Sequence, residues 1–261
     1  MQILNEIVEH TRQQIILRKE KVSEAMLYTL LPNNPKVSRF FDAVSMPIKG
    51  DIGIIAEIKH RSPSAGNFSS MVSVMDRVTA YEKSGADAIS YVSDSKYFGG
   101  SLEELKRITS ISRLPVLQKD FVISMYQLVE AAITQVDAIL LIARITGEKE
   151  LKSYVNFAQI NGIEPVVEVY NEVDLDKALK TDTKIIGVNA RDLDTFEIDL
   201  KKATTLMQMI PSHISVIGFS GVNSRKDIEV YKGAGAKAVL VGSTLMNTDD
   251  VTGSVKELKR I

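Results

Sequence analysis

The sequence has 261 residues with 32 Lys plus Arg against 33 Asp plus Glu, and this near-balance leaves no electrostatic footprint for nucleic acid or an anionic membrane. It contains no cysteine, which excludes disulfides, thiolate metal sites and a cysteine nucleophile, and which suits a reducing cytoplasm. The three histidines, His10, His60 and His213, are far apart and form no metal-ligand spacing. We therefore expect a cytoplasmic protein without a metal.

The first part of the chain is amphipathic. From Met1 to about Leu31 the apolar residues recur mainly at steps of three or four, which predicts helix. The segment Leu31-Pro32-Asn33-Asn34-Pro35 ends it, because proline cannot donate to the helix ladder and biases the preceding residue toward extended structure. We predict that residues 1–50 form an N-terminal helical extension.

No targeting or membrane segment is expected. The N-terminus MQILNEIVEH lacks the basic-then-apolar order of a signal peptide. The longest apolar run, Ala138 to Ala143, is far too short to span a bilayer. We expect a chain that binds neither membrane nor nucleic acid, that has no second catalytic domain fused to it, and that is a monomer rather than an obligate oligomer.

Beyond Gly50, short β-branched runs alternate with longer amphipathic stretches. The eight runs lie at 52–59, 87–93, 114–120, 137–143, 163–169, 184–190, 214–220 and 237–243. Near-continuous apolar strands indicate burial on both faces, and helix-length connections indicate parallel crossovers, with Gly85 and Gly235 as helix C-caps. Eight units and this length predict an α/β fold, a (β/α)8 TIM barrel forming a single domain over residues 1–261. An open doubly wound sheet is the alternative.

Polar side chains follow several predicted strands, at the end where barrel enzymes place their chemistry. They are Glu57 and Lys59, Lys119 and Asp120, Glu168, and Asn189 and Arg191. Residues two apart on a strand face the same way, so several charges share one mouth if that way is inward. Burial brings Lys and Glu pKa values toward neutrality and opposite charges counter it, so such a crowd can tune these groups for acid–base catalysis. The alternative is that each charge is a solvated strand end.

Glycine and serine follow the last two predicted strands, as Ser220-Gly221 and Gly242-Ser243. Barrel enzymes commonly hold a phosphate there on backbone N–H groups, which predicts a phosphorylated small-molecule substrate. Ordinary turn glycines are the alternative. The sequence has no G-x-G-x-x-G motif and no P-loop, which argues against dinucleotides and nucleoside triphosphates.

The chain resembles the indole-3-glycerol-phosphate synthase family through motifs spread over nearly its whole length. The motifs are A-E-I-K-x-x-S-P-S-x-G at 56–66, S-D-x-K-Y-F-x-G-S at 93–101, L-x-K-D-F at 117–121, V-E-V at 167–169, N-x-R-D-L at 189–193, S-G-V at 220–222 and V-G-S-x-L-M at 241–246. The resemblance implies a (β/α) barrel lyase of tryptophan biosynthesis that needs no cofactor or metal. It converts 1-(2-carboxyphenylamino)-1-deoxyribulose 5-phosphate to indole-3-glycerol phosphate, carbon dioxide and water.

The resemblance also implies the catalytic roles. Lys119 is the general acid on the ketone oxygen, and Glu168 stabilises the cationic intermediate or acts as a base. Glu57 and Lys59 form a second acid/base pair, and the division of proton transfers between the two lysines stays open. Asn189 is the orienting hydrogen-bond donor.

The substrate contacts follow from the same resemblance. Arg191 suits the substrate carboxylate, because its guanidinium fork matches that geometry. The phosphate is assigned to Lys59, Ser220, Gly221, Gly242 and Ser243. The aromatic ring is assigned to Phe98, Phe121 and Leu193, with core packing as the alternative for each phenylalanine. The Ser62-Pro63-Ser64 loop is expected to close over the ligand.

Two positions depart from the family pattern. Phe219 stands where the family usually carries Glu, which changes the charge balance of the mouth, and Ala190 stands where Asn is usual.

Three other functions are alternatives to this one. The first is the sibling phosphoribosylanthranilate isomerase, which needs a cysteine that this chain lacks. The other two are a Schiff-base aldolase using Lys119 and a non-catalytic phosphate-binding barrel.

Overall fold

Eight parallel strands close into a barrel in the computed structural model, which describes residues 3–63, 66–68 and 72–261. The barrel strands are β1 (Gly53–Ile58), β4 (Ala88–Val92), β5 (Val116–Lys119), β6 (Ala138–Ile142), β7 (Glu164–Val169), β8 (Ile185–Asn189), β9 (Ser215–Phe219) and β10 (Ala238–Val241). Strand β1 pairs with both β4 and β10. The predicted barrel is therefore confirmed, and the open sheet is wrong because such a sheet leaves two unpaired edges.

Helices follow every barrel strand. They are α4 (Val74–Ser84), α5 (Leu102–Ile111), α6 (Met125–Thr134), α7 (Glu148–Ile160), α8 (Glu172–Leu179), α9 (Leu200–Met207), α10 (Arg225–Gly233), α11 (Ser243–Met246) and α12 (Val251–Lys259). Gly85 ends α4 with a φ of 86°, and Gly235 lies just past α10 with a φ of 97°, so both glycines take the left-handed conformation expected of them. No helix among the described residues is long and apolar enough to cross a membrane.

In the described part of the chain, three helices precede the first strand: α1 (Ile3–Lys21), α2 (Glu24–Tyr28) and α3 (Phe40–Ser45). The prediction of one continuous helix to about Leu31 is wrong, because the helix breaks at Ser23. That serine is extended, with a ψ of 153°, and its hydroxyl accepts the Met26 N–H at 3.3 Å. A serine hydroxyl favours an N-cap over the helix interior, so a second helix starts there. Met1 and Gln2 lie outside the described residues.

The barrel interior is filled by alternate residues of the strands. They include Ile55, Leu117, Leu140, Val166, Ile185, Ile217 and Leu240, packed in one buried cluster. Phe40 and Val44 of α3 join this cluster, and the Ser45 hydroxyl donates to Ser215 Oγ at 2.8 Å, where β9 begins. Helix α3 therefore covers the N-terminal end of the barrel and leaves the C-terminal mouth for polar groups. The short antiparallel pair β2 (Arg61–Ser62) and β3 (Gly66–Asn67) lies beyond β1.

Helix α1 is tied to α6 by an ion pair between Arg18 and Glu130, whose atoms lie 2.9 Å apart. Burial raises the pKa of Glu130 to about 7, and Arg18 offsets this only partly. A carboxyl whose pKa is higher in the folded state stabilises the fold below its unfolded pKa, and this contribution is lost as the pH rises through about 7.

We expect Glu130→Gln to raise the free energy of unfolding at pH 8 by about 2 kcal/mol relative to wild type and to change it little at pH 4. Urea denaturation at the two pH values measures the difference. Glu103→Gln is the control, since the side chain of Glu103 is 77% exposed. Equal effects of Glu130→Gln at both pH values would contradict the assignment.

Candidate active site

The C-terminal mouth of the barrel is a cleft of about 160 Å³ that collects the polar strand ends. Of the predicted site residues, it is lined by Glu57, Lys59, Ser62, Pro63, Phe98, Lys119, Asn189, Arg191, Leu193, Ser220, Gly221, Gly242 and Ser243. Among the described residues, larger clefts of about 630, 560 and 250 Å³ lie between α8 and α9, beside α3, and beside α1. The mouth is the candidate site because charged groups from separate strands converge there.

Glu57 lies between two lysines. It is 3% exposed, its carboxylate contacts Lys59 Nζ, and Lys119 Nζ lies 4.0 Å from its other oxygen. Burial raises the pKa of Glu57, but the charges of Lys59, Lys119 and Arg191 outweigh burial and hold that pKa below its ordinary value. Glu57 is therefore an anion that holds two ammonium groups at the mouth. The shared orientation predicted for Glu57 and Lys59 is what brings them together.

Glu168 sits in a different environment at the end of β7. It is 4% exposed, and its carboxylate accepts a hydrogen bond from Asn189 Nδ2 at 3.1 Å. Burial raises the pKa of Glu168, and Lys119 lowers it to a smaller extent. The two buried carboxyl groups thus have pKa values moved in opposite directions, which is the usual mark of an acid/base pair with divided roles. Glu168 does not line the open cleft itself, because it lies behind Asn189.

Asn189 is fixed from two further sides. Its side-chain oxygen accepts the Ser220 hydroxyl at 2.9 Å and the Arg191 N–H at 3.0 Å. The amide nitrogen is therefore turned toward Glu168 by its neighbours, since the oxygen is already used. Asn189 therefore links the Glu168 carboxylate to Ser220, the residue that follows β9.

The ends of β9 and β10 have unusual backbone conformations. Ser220 and Gly221 have consecutive positive φ values of 66° and 72°. A left-handed serine is uncommon, and such residues concentrate at ligand sites. Gly242 approaches the charged pair closely, because a Cβ atom built on it would lie 2.2 Å from Glu57 Oε1 and 3.0 Å from Lys59 Nζ. Of the two segments assigned to the phosphate, the one at Gly242 thus lies against Lys59.

Phe98 and Phe121 are brought together, with ring centroids 6.1 Å apart. Phe98 lines the cleft, whereas Phe121 is buried behind it. Asp94 holds the turn before Phe98, because its carboxylate accepts the N–H groups of Tyr97 at 2.6 Å and Phe98 at 3.0 Å. Leu193 packs in the same apolar cluster. An apolar wall therefore faces the charged groups.

Sequence reasoning missed part of this wall. Leu4 and Ile7 of α1 belong to the same buried cluster as Phe98 and Phe121, although neither lines the cleft. The sequence shows the spacing of the apolar positions in α1, but it does not show which part of the barrel those positions pack against. Phe196 and Ile198 also line the cleft, because the chain after β8 folds back. The turn residues after Arg191, Asp192-Leu193-Asp194-Thr195, were the available signal for that fold-back.

The remaining predicted positions have local roles. Asp192 accepts the Asp194 N–H at 2.7 Å, and Asp120 accepts the Phe121 N–H and the Ser93 hydroxyl, so both orient neighbours. Ser62 and Pro63 line the cleft, while Ser64 lies outside the described residues. Among the described residues, no group of three or more His, Cys, Asp or Glu side chains is arranged to hold a metal ion.

A protein-family model described as indole-3-glycerol phosphate synthase matches residues 4–258 of the chain. The protein called indole-3-glycerol phosphate synthase in Campylobacter hominis is 35% identical, over 99% of this chain and 100% of that protein. The one in Rhodopirellula baltica is 37% identical, over 99% of each chain. The match therefore runs through every segment that contributes to the mouth.

Among solved structures, the chain is similar to one of the tryptophan synthase a2b2 complex from Pyrococcus furiosus, with a TM-score of 0.60 and 18% identity over 82% of this chain and 100% of that one. It is also similar to thiamine phosphate pyrophosphorylase from the same organism, with a TM-score of 0.60 and 14% identity over 81% of this chain and 95% of that one. At these identities the likeness shows the barrel fold alone.

Proposed function

Because the chain belongs to the indole-3-glycerol phosphate synthase family, we propose that it closes the indole ring by general acid–base catalysis at the charged mouth of its barrel. Members of the family are carboxy-lyases of tryptophan biosynthesis, and this chain is one of them. The observation that carries the mechanism is the placement of two lysines on either side of Glu57, with Glu168 and Asn189 close by.

The first chemical step joins a ring carbon of the carboxyphenylamino group to the ketone carbon. The ketone oxygen gains negative charge and needs a proton, and Lys119 supplies it. Lys119 ends β5, its side chain is 24% exposed, and it is 4.0 Å from Glu57 rather than in contact with it. Lys59, by contrast, contacts the carboxylate directly. Because Lys119 is not held in contact with Glu57, we assign the proton for the ketone oxygen to it.

The later steps release carbon dioxide and then water. Loss of carbon dioxide neutralises the ring system, and loss of the new hydroxyl group then requires an acid on oxygen and a base for the departing proton. Lys59 and Glu57 form a hydrogen-bonded pair suited to the acid role. Glu168, with a pKa raised by burial, suits the base role, and its charge stabilises the cationic intermediate from behind Asn189.

The substrate orientation follows from the two ends of the cleft. The phosphate is held by the backbone at Ser220-Gly221 and Gly242-Ser243, with Lys59 as the countercharge. The aromatic ring lies against Phe98 and Leu193, with Phe121 supporting Phe98 from behind. Ser62 and Pro63 close over the ligand and exclude water.

Arg191 binds the substrate carboxylate that is later lost. It lines the cleft, and its Nη1 donates to the Phe196 carbonyl at 2.9 Å, which fixes the guanidinium plane. We expect Arg191→Lys to raise the substrate dissociation constant about tenfold, because the lysine ammonium is a point charge and cannot replace the bidentate hydrogen bonding of the guanidinium group. Equilibrium binding of a reduced, unreactive substrate analogue measures this. Arg107→Lys on the exposed face of α5 is the control, and equal affinities for Arg191→Lys and wild type would contradict the role.

Borohydride trapping tests acid catalysis against covalent catalysis. Substrate and borohydride are added together to the full chain, and the protein mass is then measured. We expect no covalent adduct, because Lys119 acts through its proton. A substrate-sized mass increase at Lys119 would establish a Schiff base and overturn the acid role.

A further inference from the structure

Phe219 is a large apolar side chain among the charged groups of the mouth. It is the last residue of β9, is 1% exposed and lines the cleft beside Leu240. Its ring lies over Gly187 of β8, because a Cβ atom built on Gly187 would be 2.4 Å from Phe219 Cε2 and 2.6 Å from Cζ. The ring thus fills the space that a side chain at position 187 would take.

That space is directly below the hydrogen bond between Asn189 and Glu168. Gly187 pairs in register with Glu168 on β7, and Asn189 is two residues further along β8 on the same face. Alternate residues of a strand point to one side, so a side chain at 187 would lie one level beneath Asn189. The Phe219 ring occupies that level, next to the strand position that pairs with Glu168, and fills space that the cleft would otherwise reach.

Glu168 has charged neighbours but no direct ion pair. The charged groups that face it are Lys119 from β5, Glu57 from β1 and Asp174 from α8, with Lys59 and Arg191 in the same cleft. Its register partner on β6 is the apolar Ile142. Among the described residues, no lysine or arginine nitrogen lies within 4.0 Å of its carboxylate. Burial therefore has the largest influence on its protonation, ahead of Lys119.

We propose that Phe219 is a positioning residue. Its aromatic ring fills the space that a side chain at Gly187 would occupy, and it thereby keeps water away from Glu168. Without the ring, water from the cleft would reach the ionised carboxylate, solvate it and make it a weaker base. The inference rests on the proposed function only for the role of Glu168 as the base. The packing of the ring is independent of that role.

The test compares the titration of the Glu168 carboxyl by ¹³C NMR in wild type, Phe219→Ala and Phe219→Leu, with the signal assigned by its loss in Glu168→Gln. We expect the titration midpoint to fall by about one pH unit or more in the two smaller variants, because water enters under the carboxylate. Phe219→Met, which restores an apolar side chain of similar length, is expected to return the midpoint toward wild type. The pH profile of kcat should shift with the midpoint.

Ile217→Ala is the matched control, since Ile217 faces the same interior one level deeper on β9 and pairs with Gly187. It is expected to lower stability without moving the midpoint. A midpoint in both Phe219→Ala and Phe219→Leu equal to that of wild type and of Ile217→Ala would overturn the inference. The titration needs no substrate, so absent turnover in wild type would count against the proposed function alone.

Discussion

Replacing Lys119 with alanine is expected to lower kcat about a thousandfold while leaving the substrate dissociation constant within about threefold of wild type. Lys119 delivers its proton as the ketone oxygen gains charge, so its contribution appears mainly in the transition state. The side chain is also partly exposed at 24%, and its removal leaves no buried charge unpaired, because Glu57 keeps Lys59. Steady-state kinetics and equilibrium binding of the same variant measure the two quantities.

Lys149→Ala is the control for that experiment, because Lys149 is an exposed lysine of α7 that does not line the mouth. It is expected to behave as wild type in both measurements. A Lys119→Ala variant with kcat within tenfold of wild type would remove Lys119 from the acid role. A large loss of binding with unchanged kcat would instead place Lys119 in ground-state recognition.

Gly242→Ala is expected to lower kcat/KM about a hundredfold without unfolding the protein. The added Cβ would lie 2.2 Å from Glu57 Oε1, and Glu57 is buried, so the carboxylate and its Lys59 partner must move. Displacement of a catalytic group by about 1 Å costs on the order of a hundredfold in rate. The close atoms belong to side-chain ends rather than to the backbone, so the barrel itself is expected to persist.

Gly233→Ala is the matched control for this change. A Cβ atom built on Gly233, at the end of α10, meets nothing within 4 Å. We expect wild-type kinetics from it and a small gain in stability, since alanine favours helix over glycine. Thermal unfolding and kcat/KM are measured for both variants. Full activity in Gly242→Ala would show that the position of the Glu57–Lys59 pair does not limit the reaction.

Strand periodicity was sufficient to predict the barrel, because each of the eight apolar runs became a strand within a few residues of its predicted ends. The break at Ser23 could not be predicted in the same way. A serine on an amphipathic helix fits both an interior position and an N-cap, and only the packing of α1 and α2 decides between them.

The site residues were proposed from their positions at strand ends and from the family resemblance, and alternation along one strand placed Glu57 and Lys59 together. What required the closed barrel were contacts between strands, such as the link from Glu168 through Asn189 to Ser220. The packing of Phe219 could not be predicted for the same reason. The sequence shows only that Phe219 replaces the usual carboxylate, whereas the contact of its ring with Gly187 depends on the register between β8 and β9.

The most direct test of acid–base ring closure is the fluorescence of the indole product when purified wild-type chain is mixed with 1-(2-carboxyphenylamino)-1-deoxyribulose 5-phosphate, with released carbon dioxide measured in parallel. The predicted result is a steady rise in indole fluorescence with one carbon dioxide released per indole formed, and almost no rise with Lys119→Ala. Folded wild-type protein that gives no indole signal, or Lys119→Ala that matches wild type, would contradict it.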